Sequence, residues 1–138
     1  MPPLEINYLT IFVAALATFA LGALWYSPLL FGKLWMKVHG HSADKIAEMQ
    51  QSTGKIYGVS FVCYVVMAAV LAILVSYTGV ATASGGLWLG FLCWLGFAAT
   101  IGLTANLFSE KPLAAYLIDA GYQLAYLLFM GALLALWR

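Results

Sequence analysis

Apolar residues fill four long stretches of this chain almost without interruption, and polar residues gather in the breaks between them. The pattern predicts helices at about 6–27, 56–78, 86–108 and 113–137. At 1.5 Å rise per residue each is about 30–37 Å long, enough for a hydrocarbon core of about 30 Å. The two-residue alternation of a barrel strand is absent, so helices are the spanning structure. The expected fold is all-α, a four-transmembrane-helix bundle forming a single integral membrane domain over 1–138. The breaks near Gly79 and Ser109 are short, which makes the last three helices sequential antiparallel neighbours. Pro112 suits the first turn of the fourth helix, where a missing N–H costs nothing.

The linker 28–55 carries a pattern of its own. Pro28 disfavours helix at Ser27 and ends or bends the first helix. Phe31, Leu34, Trp35 and Val38 then recur at i, i+3, i+4 and i+7, with Lys33 and Lys37 on another face. That spacing predicts a short amphipathic helix on the membrane surface, with these four residues as interfacial anchors. The alternative is an extension of the first helix. After Gly40, Ser42 suits the cap of a second short helix at 43–51, with Asp44 in its first turn.

Composition fixes the solvent. Hydrophobic residues make up 64% and charged residues 8%, with a mean hydropathy of +0.96. Soluble domains carry about 25% charged residues. The lipid bilayer is therefore the expected partner, and a net charge of +1 offers no field for nucleic acid. Residues 1–5 lack the basic start of a signal peptide, and the first apolar run is of spanning length. Lys33, Lys37, Lys45, Lys55 and Lys111 all lie on one side of the four spans, against Arg138 on the other. That asymmetry puts the linker in the cytoplasm and both termini outside. Tyr8, Tyr77, Trp88 and Trp137 are expected to belt the outer interface, and Trp25, Tyr26, Trp35, Tyr57 and Tyr116 the inner one. Cys63 and Cys93 sit at different depths, so they read as buried packing residues rather than a disulfide.

Small residues recur every fourth position as Ala14, Thr18 and Gly22, as Gly86 and Gly90, and as Gly96, Thr100 and Thr104. Such stripes let helix backbones approach closely in lipid. Exposed on four thin helices, they also suggest a homo-oligomer.

Candidate chemistry centres on Asp119, the one acidic residue inside an apolar stretch. An ionised carboxylate there costs about 2.5–3.5 kcal/mol even on lenient insertion scales. Asp119, Tyr122, Gln123, Tyr126 and Met130 share one face of the fourth helix, and Asp119 lies roughly 9 Å from its start. At similar depth the other helices offer Tyr26, Ser27, Ser60, Tyr64, Thr100, Thr104 and Asn106. These residues make a candidate polar cavity facing the cytoplasm, with Asp119 binding a cation or proton. The same residues also suit a hydrogen-bond network that fixes helix register. His39 and His41 lack a third ligand nearby, so neither metal nor cofactor is expected. Phosphate-binding loops, nucleophile elbows and paired membrane acids are absent, which argues against an enzyme and leaves no catalytic residue to name.

The run Trp25-Tyr26-Ser27-Pro28-Leu29-Leu30-Phe31-Gly32 resembles the hallmark of a bacterial family of small four-helix integral membrane proteins catalogued as a domain of unknown function. The likeness continues in Trp94-Leu95-Gly96-Phe97, Asn106-Leu107-Phe108 and Asp119-Ala120-Gly121-Tyr122. The resemblance implies a multi-pass protein of the bacterial inner membrane and carries no activity with it. It also implies that Asn is common at the position of Asp119, which favours hydrogen bonding over proton transfer. Two functions are expected on these grounds. The first is a non-enzymatic, homo-oligomeric membrane scaffold or partner-binding protein. The second is a small transporter or channel using the Asp119 cavity.

Overall fold

Asn7 starts the first helix by accepting hydrogen bonds from the Leu9 and Thr10 N–H groups at 3.1 and 3.3 Å. Helix α1 then runs Tyr8–Trp25, followed by α2 at Gly32–His39, α3 at Thr53–Thr78, α4 at Ala83–Phe108 and α5 at Leu113–Leu136. The computed structural model describes residues 4, 6–40, 44, 48 and 53–137. All four long helices are long and apolar enough to cross a membrane, which is the architecture of a small multi-pass membrane protein. No strand occurs among the described residues. The short helix expected at 43–51 with its Ser42 cap, together with His41, Lys45 and Arg138, lies outside them. Asp44 and Glu48 are described, and both are helical.

Local chemistry explains where the helices stop. Helix α1 ends at Trp25 rather than at position 27, because the chain wraps tightly ahead of Pro28. In that wrap the Phe31 N–H donates to the Trp25 carbonyl at 3.0 Å and the Gly32 N–H to Ser27 at 2.9 Å. A Cβ on Gly32 would collide with the Tyr26 carbonyl, so only glycine closes this loop. Helix α4 starts at Ala83 rather than at position 86, because the Thr82 hydroxyl caps the Gly85 N–H at 3.1 Å. Its far end is a Schellman turn. Lys111 N–H donates to Asn106 and Glu110 N–H to Leu107, both at 3.2 Å, with Glu110 left-handed at φ 56°. The Asn106 side chain donates back to the Lys111 carbonyl at 3.2 Å and clamps the turn.

The four spans do not contribute equally. Helices α1, α3 and α5 pack on one another around Ala14, Ala68, Leu71, Tyr122, Tyr126 and Met130. Helix α4 packs almost entirely on α5. In its most apolar window α5 is 39% buried, against 17% for α4, which makes α5 the central helix. Two backbones meet where α4 crosses it. Cβ atoms on Gly86 and Gly90 would overlap the Gly131 and Leu127 carbonyls, and one on Gly131 would overlap that of Gly86. The glycines expected to be exposed here are therefore consumed inside the chain. On α1, Ala14 and Thr18 are fully buried, and Gly22 makes room for the Tyr122 hydroxyl.

A π-helical turn at Trp94–Ala98 corrects the rest of the α4 stripe. The Ala99 N–H reaches back five residues to the Trp94 carbonyl, inserting one extra residue into the helix. Past that point the packed face moves round to Ala99, Gly102 and Asn106. Gly96, Thr100 and Thr104 lie on the outside instead. Each threonine hydroxyl satisfies itself on carbonyls of its own helix, at 2.9–3.1 Å. Cys63 is likewise exposed rather than buried, while Cys93 is half-buried, and both thiols are free.

Two consequences are measurable in detergent. Gly90→Ala should lower stability by about 1–3 kcal/mol through overpacking against α5. Gly58→Ala, which meets open space, should be neutral or gain up to about 1 kcal/mol. Equal losses at the two sites would contradict the crossing. Relieving the left-handed residue with Glu110→Gly should raise stability by about 1 kcal/mol, read as a higher unfolding temperature.

Candidate functional site

Aromatic side chains in a bilayer need partners for their polar tips, and backbone carbonyls offer a second lone pair. Helix α5 receives three such tips within a single turn. The Trp25 indole donates to the Ile118 carbonyl at 3.0 Å, the Trp94 indole to Ala120 at 2.9 Å, and the Tyr26 hydroxyl to the Asp119 carboxylate at 2.6 Å. Helix α5 answers with Tyr116, which donates to Ala99 on α4, and Tyr122, which donates to Thr18 on α1, both at 2.8 Å. Gly121 leaves a flat place on which the Trp25 ring lies, since a Cβ there would come within 3.2 Å of it. Residues 25–26 and 118–122, some 93 positions apart, are thus complementary surfaces.

Asp119 is half-buried at the centre of this arrangement. Among the described residues the Tyr26 hydroxyl is its hydrogen-bond donor, and no basic side chain pairs with it. At 2.6 Å the bond lies at the short end of the O–H···O range. The carboxylate forms part of the wall of two cavities on different sides of α5.

The larger cavity, about 470 Å³, lies between α1, α3 and α5 with α2 over it. Its walls are mainly rings, among them Phe19, Tyr26, Trp35, Tyr57, Tyr64 and Tyr122, with Ser60 as a small polar member. Met36, Ile56 and Tyr57 on its rim are exposed. The smaller cavity, about 180 Å³, lies between α4 and α5 near the turn that joins them. Its wall is polar, with His39, Asn106, Ser109, Lys111 and Gln123 beside Tyr116.

The single cavity expected from the sequence is therefore two. Tyr26, Ser60, Tyr64 and Tyr122 meet Asp119 on one side, Asn106 and Gln123 on the other. Tyr126 supports from behind, in the core against Tyr64 and Tyr122 at ring distances of 5.8 and 4.9 Å. Ser27 is not in the wall, because its hydroxyl closes α1 on the Leu24 carbonyl at 2.7 Å. Thr100 and Thr104 are excluded by the π turn, which puts them on the outer face.

The surface helix is present as α2, yet its anchors divide. Leu34 is 45% exposed and Val38 half-buried. Phe31 turns inward onto Trp25 at 4.9 Å, and Trp35 onto Tyr26 at 6.0 Å. His39 stacks on Trp35 at 4.2 Å. The aromatic belts divide in the same way. Tyr8 and Trp88 are strongly exposed, whereas Trp25, Tyr26, Trp35 and Tyr116 hold the fold together. Phe19 and Tyr57 entered the wall unannounced. Phe19 is in helical phase with Gly22, Ala23 and Tyr26, which was the available signal.

A double-mutant cycle checks the central bond. Tyr26→Phe alone should cost about 0.5–3 kcal/mol, the range for a lost side-chain hydrogen bond. On an Asp119→Ala background the same change should cost close to nothing. Additive losses would show that the hydroxyl and carboxylate are not coupled.

A family model described as "Protein of unknown function (DUF1761)" matches residues 9–135. No curated protein and no solved structure matches the chain.

Proposed function

The chain belongs to the DUF1761 family of proteins of unknown function, and from that premise we propose that it is a small membrane transporter whose solute binds in the ring-lined cavity against Asp119. The observation that carries this reading is a half-buried carboxylate exposed to two cavities at once. A purely structural acid would be enclosed by donors. Among the described residues this one has a single tyrosine hydroxyl as donor, with open space on both flanks of its helix. Intramembrane carboxylates are functional by default, and ligand sites in helical bundles lie between the helices. Helix α2 touches both cavities, Trp35 and Met36 at one and His39 at the other. It ends on Gly40, left-handed at φ 66°.

The excess of lysines beside α2 and the α4–α5 turn supports a cytoplasmic position for that end, in a bacterial inner membrane. Both cavities would then face the cytoplasm at rest.

A second reading has an observation of its own. The bonds from Trp25, Tyr26 and Trp94 already tie α1 and α4 to α5, so the polar cluster suits a rigid, non-enzymatic scaffold. Self-association belongs with that reading. Gly54 and Gly58 on α3 and Gly96 on α4, each with open space where a Cβ atom would stand, are small residues available to a second copy.

Flux separates the two. In liposomes the wild type should take up members of a mixed panel of labelled cationic, neutral and anionic solutes. Asp119→Asn, which keeps an acceptor for Tyr26, should reduce that uptake at least tenfold while unfolding at a similar temperature. Absence of uptake for every solute, with Asp119→Ala merely less stable, would leave the scaffold reading in place.

A further inference from the structure

We propose that the occupant of the larger cavity is a bulky organic monocation, a drug-sized apolar body carrying one quaternary or protonated centre. This inference rests on the solute-binding reading above and narrows it to a chemical class.

Three features of the wall select that class. Phe19, Tyr26, Trp35, Tyr57, Tyr64 and Tyr122 contribute rings from four different elements. Aromatic faces carry partial negative charge and attract cations, quaternary ammonium groups above all. Among the described residues Asp119 is the wall's acidic side chain, and no lysine, arginine or histidine joins it there. The volume of about 470 Å³ falls within the range of about 300–1,000 Å³ typical of small-molecule sites.

Other occupants fit less well. An anion would face a carboxylate and ring faces, with no basic partner among the described residues of the wall. A neutral solute would strip water from Asp119 without replacing its counter-charge, which is unfavourable in a low-dielectric site. A bare metal ion requires several oxygen or nitrogen ligands in its coordination shell. Among the described residues no group of three His, Cys, Asp or Glu side chains assembles. The smaller cavity has the opposite character, with Lys111 and His39 in its wall, and suits water or a small polar species. A monocation with an apolar skin meets the carboxylate and the rings at once. The exposed rim at Met36, Ile56 and Tyr57 gives it an apolar way in.

Two ions of matched shape and opposite charge test the proposal. Full-length protein in detergent is titrated with tetraphenylphosphonium and, separately, with tetraphenylborate, following equilibrium dialysis of each ion against protein-free micelles. Saturable binding is expected for the phosphonium and none for the borate. Asp119→Asn should weaken phosphonium binding at least tenfold. Tyr57→Ala, at an exposed rim position, should weaken it about two- to tenfold, as removal of a cation–ring contact does. Should Asp119→Asn fail to fold, the Tyr57 variant and the contrast between the two ions still decide the matter. Equal binding of both ions, or phosphonium binding indifferent to both substitutions, overturns the proposal. Asp119-dependent uptake of neutral or anionic solutes without phosphonium binding also overturns it, while sparing the transporter reading. Failure of both the binding and the flux experiments removes both together.

Discussion

The hydrogen bond from Tyr26 to Asp119, 2.6 Å long, is where the separate parts of this fold meet. An acid held within an apolar helix needs a donor, and a tyrosine at the edge of the membrane needs an acceptor for its hydroxyl. Joining them pins the loop after α1 to the middle of α5. The flanking Trp25 and Trp94 indoles reinforce the attachment on the neighbouring carbonyls. Glycine at 32 lets the loop turn back tightly enough to lay α2 across the helix ends. Remove the bond, and α2 loses the support that sets it over both cavities.

Helix α5 is central for a second, independent reason. Its backbone meets that of α4 through Gly86, Gly90 and Gly131 with no side chain between them. Hydrophobic burial does little to drive helices together in lipid, so close packing and interhelical hydrogen bonds must do so. The chain uses both around α5, glycines and the Tyr116 and Trp94 bonds toward α4, and the Trp25, Tyr26 and Tyr122 bonds toward α1. The π turn at Trp94–Ala98 reconciles the two ends of α4. It keeps the glycines on α5 in one half while turning Ala99, Gly102 and Asn106 toward α5 in the other. The cost is a pair of threonines facing outward, and each meets it with bonds to its own helix.

The family motifs acquire a physical meaning from this arrangement. Trp25-Tyr26 and Asp119-Ala120-Gly121-Tyr122 are the two halves of one contact, with Gly121 shaped to receive the Trp25 ring. Gly32 is required by loop closure and Asn106 by the turn before α5. Much of the motif content therefore maintains the fold. What the fold does not absorb is the second flank of Asp119 and the ring-lined space beside it. That remainder is where function is to be sought.

The amino-acid sequence alone determined the solvent, the number of spans and the position of the anomalous acid, because these depend on composition and run length. It also placed Tyr26, Tyr122 and Asp119 at one depth, since depth is simply a count of residues along a helix. Which way each side chain turned was decided only in three dimensions. A single inserted residue in α4 rotated Thr100 and Thr104 out of the site, and no periodicity reports such an insertion in advance. Phe31 and Trp35 read as lipid anchors because a ring meets hydrocarbon and protein with similar ease. Only the close return of the chain over Gly32 chose protein for them. The division of one polar cluster into two cavities likewise arose from α5 passing between them, a fact of packing that no linear pattern encodes.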